Sequence, residues 1–164
     1  MVEITLPILL QIVQTAGILV GIVYYITIMR NTLRARLLQV STQFSNLWTR
    51  NEFVSNWIDV AYKQDYTTYE EWEEKYGIDV NPDATTKIFA LGNMFNSAGQ
   101  MVKDGLVKPE FIWNIQAPFS IVMLWEKFKP LTDHWRALNN DPMIWASFEY
   151  LYNVTKSRFP EVRT

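Results

Sequence analysis

The sequence predicts an all-α protein in which one N-terminal transmembrane helix continues into a cytoplasmic helical bundle. Three observations predict it. An uncharged run of 26 residues extends from Ile4 to Met29. Beyond it, apolar residues recur at spacings of three and four, and no stretch alternates in the manner of a sheet strand. Prolines and glycines stand where helices start and stop.

Composition sets the outer limits. The chain has 164 residues, of which 49% are hydrophobic and 20% charged. That suits one domain plus a membrane segment. Fifteen basic and 17 acidic residues leave a net charge of -2, which disfavours a generally basic nucleic-acid binder. The absence of Cys excludes disulfides, thiol nucleophiles, Cys-ligated zinc and iron–sulfur clusters. With His134 as the single histidine, a multi-histidine metal site within one chain is excluded as well.

The first element is the anchor, residues 1–30. As a helix the run from Ile4 is about 39 Å long, or about 34 Å if Pro7 opens it, against a hydrocarbon core of about 30 Å. A cleaved signal peptide would begin with basic residues and end at a small-residue cleavage site. Here the first basic side chain is Arg30, after the apolar run. Arg30, Arg34 and Arg36 follow the span directly, and no acid lies between Glu3 and Glu52. The positive-inside rule then puts a short N-terminus outside and the remainder in the cytoplasm. The three arginines are topology determinants at lipid-headgroup level. Gly17 and Gly21 form G-x-x-x-G, the spacing at which two membrane helices approach closely, so they are the candidate helix–helix interface.

Residues 31–164 form the predicted bundle. Leu33, Leu37, Val40, Phe44 and Leu47 make one helical stripe, without Gly or Pro, that leads out of the anchor with no flexible linker. Val54, Ile58 and Ala61 resume its rhythm. Phe53, Trp57 and Val60 add a second apolar face, which favours a helix packed inside its own domain over a self-associating coiled coil. A short helix with Tyr69, Trp72 and Tyr76 on one side follows, opened by Thr67/Glu70 or Thr68/Glu71 at capping-box spacing and stopped by Gly77. Its four glutamates read as a solvated face, not a calcium loop. The next helix runs from Pro82 to Asp104, capped by Asn81 or Asp83 and ended by Gly105. It buries Ile88, Leu91, Phe95, Ala98 and Val102, and Gly92 and Gly99 leave room for a neighbour. Pro109, Pro118, Pro130 and Pro142 each suit a helix start, giving segments 109–116, 118–128, 130–139 and 142–158. The seven tryptophans all lie outside the anchor and fall mostly on apolar stripes, as core residues do.

No catalytic motif emerges. The glycines at 17, 21, 77, 92, 99 and 105 build neither G-x-G-x-x-G nor a phosphate loop, and H-E-x-x-H and G-x-S-x-G are missing. Glu126 and Glu149 lie within apolar helices and are the acids of greatest interest. A structural ion pair between Glu149 and Arg136 is the plainer explanation, because an unpaired buried charge is expensive.

The order of features resembles one family. A single span and a basic exit lead to Phe44 through Trp57 on a continuing helix. Lys87-Ile88-Phe89-Ala90-Leu91-Gly92-Asn93-Met94-Phe95 and Val102-Lys103-Asp104-Gly105 follow. Trp125, Pro130, Arg136, Asp141-Pro142 and Phe148-Glu149-Tyr150-Leu151 complete it. Together they resemble a prokaryotic family of small, single-span, membrane-anchored helical proteins classed as a domain of unknown function. The resemblance implies the anchor-plus-bundle architecture and carries no catalytic residues or cofactors with it.

The expected function is non-enzymatic: a membrane-anchored interaction module or accessory subunit, whose partners are the bilayer and a membrane protein or a second copy of itself, not nucleic acid. The second reading is a tethered sensor or effector in stress or phage defence, with a ligand site in the bundle. The third is an enzyme using Glu126 or Glu149 with His134.

Overall fold

The computed structural model describes residues 5–162, and no strand occurs among them. The chain divides into two compact units, one ending at Phe44 and the other beginning at Ser45. Helix α1 spans Leu6–Trp48. Its apolar side chains stand exposed along the first unit, Ile12, Val13, Ile18, Leu19, Val20 and Val23 among them. It is long and apolar enough to cross a membrane. The Thr15 and Thr27 hydroxyls donate to the carbonyls of Gln11 and Val23, each at 2.8 Å. Those polar groups are therefore satisfied inside the helix itself, as a hydrocarbon environment requires.

The second unit contains the remaining helices: α2 (Asn51–Ile58), running on into a π-helical turn at Asp59–Lys63, α3 (Tyr69–Tyr76), α4 (Pro82–Lys103), α5 (Pro109–Ile115), α6 (Pro118–Asn139) and α7 (Ala146–Arg158). Helix α4 is its centre. Asn81 caps it by accepting the Ala84 N–H at 3.1 Å. Gly105, at φ +69°, ends it. There the Leu106 N–H donates to Met101 O and the Gly105 N–H to Val102 O, a Schellman closure that left-handed glycine permits. Ile88, Leu91, Phe95, Ala98 and Val102 are buried, the face that the three–four spacing predicts. From α6, Ile121, Leu124, Trp125, Phe128 and Leu131 complete the core, and α7 adds Phe148 and Leu151. Each such side chain contributes about 1.5–3 kcal/mol by leaving water. At α3 the cap is Thr68, whose hydroxyl accepts the Glu71 N–H, while Glu71 reaches back to Thr67.

Four features depart from the sequence reading. The chain does not continue as one helix through Trp57: Arg50 is extended (ψ 138°) and α2 starts anew. The break packs Trp48 against Phe53 at 5.1 Å and edge-on to Phe95 at 4.8 Å. Burial falls to Phe53 on α2 and Val60 in the π-helical turn, whereas Val54 and Ile58 are each 42% exposed, so the second apolar face is the inner one. Pro130 does not open a helix. It lies inside α6, where buried Phe128, Leu131 and Thr132 on either side hold the helix through the loss of one backbone bond. Pro142 opens only a turn, in which Asp141 accepts the Met143 N–H at 2.8 Å, and α7 begins four residues later.

Candidate functional site

The richest surface of the second unit lies where α4, α6 and the start of α7 meet. Gly92 and Gly99 notch α4 on one side. A Cβ at Gly92 would lie 2.3 Å from the Trp145 ring, and one at Gly99 would lie 1.8 Å from the Ser147 carbonyl oxygen. Into these notches the chain feeds a strained corner. Trp145, the residue before α7, is left-handed (φ 49°, ψ 30°), a conformation costly for a bulky side chain. Its indole N–H donates to Asn93 Oδ1 at 3.1 Å. Trp145 cannot cap α7, and α4 does so instead. Asn96 Oδ1 accepts the N–H groups of Ser147 (3.0 Å) and Phe148 (3.2 Å). The Ser147 hydroxyl and the Gln100 carboxamide meet at 2.6 Å beside them.

Beside this corner opens a cavity of about 490 Å³ lined by Phe89, Asn93, Asn96, Trp135, Asn139, Ile144 and Trp145. Phe89 and Trp135 stack at 5.0 Å and 18°, and Trp145 meets Trp135 edge-on at 5.4 Å. Asn139 donates from Nδ2 to the Trp135 carbonyl, which leaves its Oδ1 outward.

The residues singled out from sequence are distributed as follows. Arg136 and Glu149 meet across α6 and α7 at 2.7 Å, and Arg136 Nε also donates to the Ile144 carbonyl. Glu126 takes the Tyr152 hydroxyl at 3.4 Å and lies 3.8 Å from Lys156. His134 stacks flat on Tyr69 at 3.4 Å. Burial and the Glu73 carboxylate push that tyrosine's hydroxyl up to about 12. Glu126, Glu149 and His134 thus engage different neighbours and do not line the cavity. Among the described residues no cluster of three or more His, Asp or Glu offers a metal site. Gly17 and Gly21 have nothing within 4 Å of an added Cβ, and Arg30, Arg34 and Arg36 are exposed. Thr155, the last residue of Asn153-Val154-Thr155, which has the N-glycosylation pattern, is buried and hydrogen-bonded to Trp113 and to the Leu151 carbonyl.

Two sets of residues went unmarked by sequence reasoning. The first is Asn93, Asn96 and Asn139, which no motif signals; the only trace is two asparagines three apart on α4, one turn of a helix. The second surrounds Lys127. Its ammonium donates to the carbonyls of Ala61 and Gln64, at the end of the π-helical turn, and lies 5.3 Å from the Tyr66 ring centre. Burial pushes it below the usual lysine range, against the opposing charge of Asp65. A π-helical turn supplies carbonyls out of step with the α-helical ladder, which suits such a cation.

No curated protein and no solved structure matches the chain. One family does, and the match runs from inside α1 to the last turns of α7. Over residues 11–156 the chain matches the Domain of unknown function (DUF4760), and it belongs to that family.

Proposed function

We propose that this protein is a membrane-anchored, non-enzymatic interaction module, an accessory subunit that joins a membrane assembly through its single span. On this reading it is a small prokaryotic protein with one span. One observation carries it. Gln14, Gly17 and Gly21 stand at i, i+3 and i+7 of α1, hence on one face. Among the described residues nothing in the chain hydrogen-bonds the Gln14 carboxamide, and the glycines face open space. A carboxamide in hydrocarbon seeks a partner, and small residues let a second backbone come close enough to supply one. Arg30, Arg34 and Arg36 orient the span with its N-terminus outside and the bundle in the cytoplasm.

The test has two arms. The full chain is extracted from native membranes in mild detergent, and the mass of the particle is compared with that of a Gln14→Leu, Gly17→Ile, Gly21→Ile variant. A particle larger than the monomer that falls to monomer mass in the variant supports the reading. A monomer in both cases overturns it. A reporter fused after Thr164 checks orientation: activity on the cytoplasmic side is expected, and activity only outside defeats the topology.

A further inference from the structure

The cavity between α4, α6 and α7 carries an inference independent of the anchored-module reading. Its polar groups are fixed in direction. Asn93 Oδ1 accepts from the Trp145 indole, and Asn96 Oδ1 accepts from two backbone N–H groups. Because those partners can only donate, the carboxamide oxygens must face inward and the amino groups must face away from them. Among the described residues nothing accepts from either Nδ2. Asn139 is turned the other way: its Nδ2 is spent on Trp135 O, and its Oδ1 is left to accept. The lining therefore offers two donors and one acceptor, each held by a hydrogen bond on its far side.

The remaining wall is aromatic. Phe89 is 44% exposed although it stacks on Trp135, so the ring pair is open to a further ring. Offset stacking on such a pair favours a flat, unsaturated ligand. No charged side chain lines the cavity. The Arg136 guanidinium, whose Nε holds the carbonyl of the lining residue Ile144, is not part of the wall: Nη1 is bonded to Glu149 and Nη2 is buried. A charged group would find no counter-ion, so the ligand part that enters is neutral. The volume lies within the range of about 300–1,000 Å³ usual for small-molecule sites.

We propose that this cavity binds a neutral planar ring with an imide edge, of which a uracil-type base is the simplest case. Such an edge carries two carbonyl acceptors flanking one N–H donor. The carbonyls take the amino groups of Asn93 and Asn96, the N–H goes to Asn139 Oδ1, and the ring face lies along Phe89 and Trp135. A pyranose can also stack on aromatic rings, but its hydroxyls both donate and accept, so it does not call for this fixed set.

The test is a titration of the full chain with uridine, in a detergent whose head group is not a sugar, read by tryptophan fluorescence and by saturation transfer to the ligand's protons. Saturable binding is expected, weakened about tenfold for N3-methyluridine, which lacks the imide donor. Asn93→Asp and Asn96→Asp keep the oxygens that hold Trp145 and the start of α7, and replace each outward donor by an anionic acceptor. Both variants are expected to retain wild-type helical content and to lose uridine binding by at least about tenfold. Phe89→Ala is expected to weaken binding without changing the fold. Failure of uridine to saturate at millimolar concentrations overturns the proposal. So does equal binding of uridine and N3-methyluridine, which needs no variant to fold, and so does saturable binding of methyl glucoside in uridine's place.

Discussion

The carbonyl oxygen of Ser147 rests directly on the α-carbon of Gly99, so close that a single methyl group there would lie 1.8 Å from it. The start of α7 is thereby seated on backbone, not on side chains. Gly99→Ala forces the two helices apart and is expected to cost about 3 kcal/mol, at the upper end for overpacking. Gly92→Ala meets the buried Trp145 ring and is expected to cost nearly as much. Urea unfolding of the full chain in micelles, followed by tryptophan fluorescence, gives both values. A midpoint within error of wild type for Gly99→Ala contradicts this seating.

Asn96 caps a helix to which it does not belong. Asn96→Leu leaves the N–H groups of Ser147 and Phe148 unpartnered and is expected to cost about 1–2 kcal/mol, as loss of a cap does. Asn96→Asp keeps the acceptor and adds a charge favourable at a helix N-terminus, so stability should hold or rise by a few tenths, ~0.3 kcal/mol or more. Hydrogen exchange at the two amides separates the cases: faster exchange in the leucine variant, unchanged or slower in the aspartate variant.

Arg136 and Glu149 form a half-buried pair, with 19% and 38% of the side chains exposed. That lies between a solvent-exposed bridge and a buried one. Arg136→Met is expected to cost about 2 kcal/mol, because it also orphans the Ile144 carbonyl, and Glu149→Gln about 1 kcal/mol. A double-mutant cycle should return a coupling of about 1 kcal/mol. Strictly additive losses would show that the two charges do not act together.

Asp59 gives the bundle an acid-sensitive lock. Burial raises its carboxyl, but the ammoniums of Lys87 (3.1 Å) and Lys63 (3.3 Å) lower it by more and hold it below the usual carboxylate range. A carboxylate lowered on folding stabilises fully above its unfolded value and loses that contribution as pH falls through the folded one. Stability should therefore be flat in this respect above about pH 5 and should decline below about pH 4. Asp59→Asn is expected to remove part of that acid limb while lowering stability at neutral pH. An identical pH profile for the variant would dissociate the pair from acid stability.

Much of the architecture was legible because local signals and packing agree. In α4, Asn81-Pro82 at the start, Gly105 at the end and a three–four apolar stripe all specify one helix. The notches at Gly92 and Gly99 were visible as spacing, though not what fills them. Elsewhere local and tertiary preferences diverge. Pro130 signals a start, yet Phe128 and Leu131 bury on one continuous face. Arg50 carries no breaking signal, yet the packing of Trp48 and Phe53 calls for a corner there. The cavity was illegible for a different reason. Asn93 and Asn96 come from α4 and Asn139 from the end of α6, and only the fold makes them neighbours.

The bond between the Trp145 indole and Asn93 joins residues 52 apart in sequence, and the Asn96 cap spans nearly the same interval. Loops of that length close slowly, because their entropy must be surrendered before any contact rewards it. As the chain leaves the ribosome, α4 is complete long before the segment that covers it exists. A product truncated ahead of Trp145 would keep an apolar helix with an empty furrow along it. Within the bundle, that furrow is apolar surface for a chaperone to cover during synthesis.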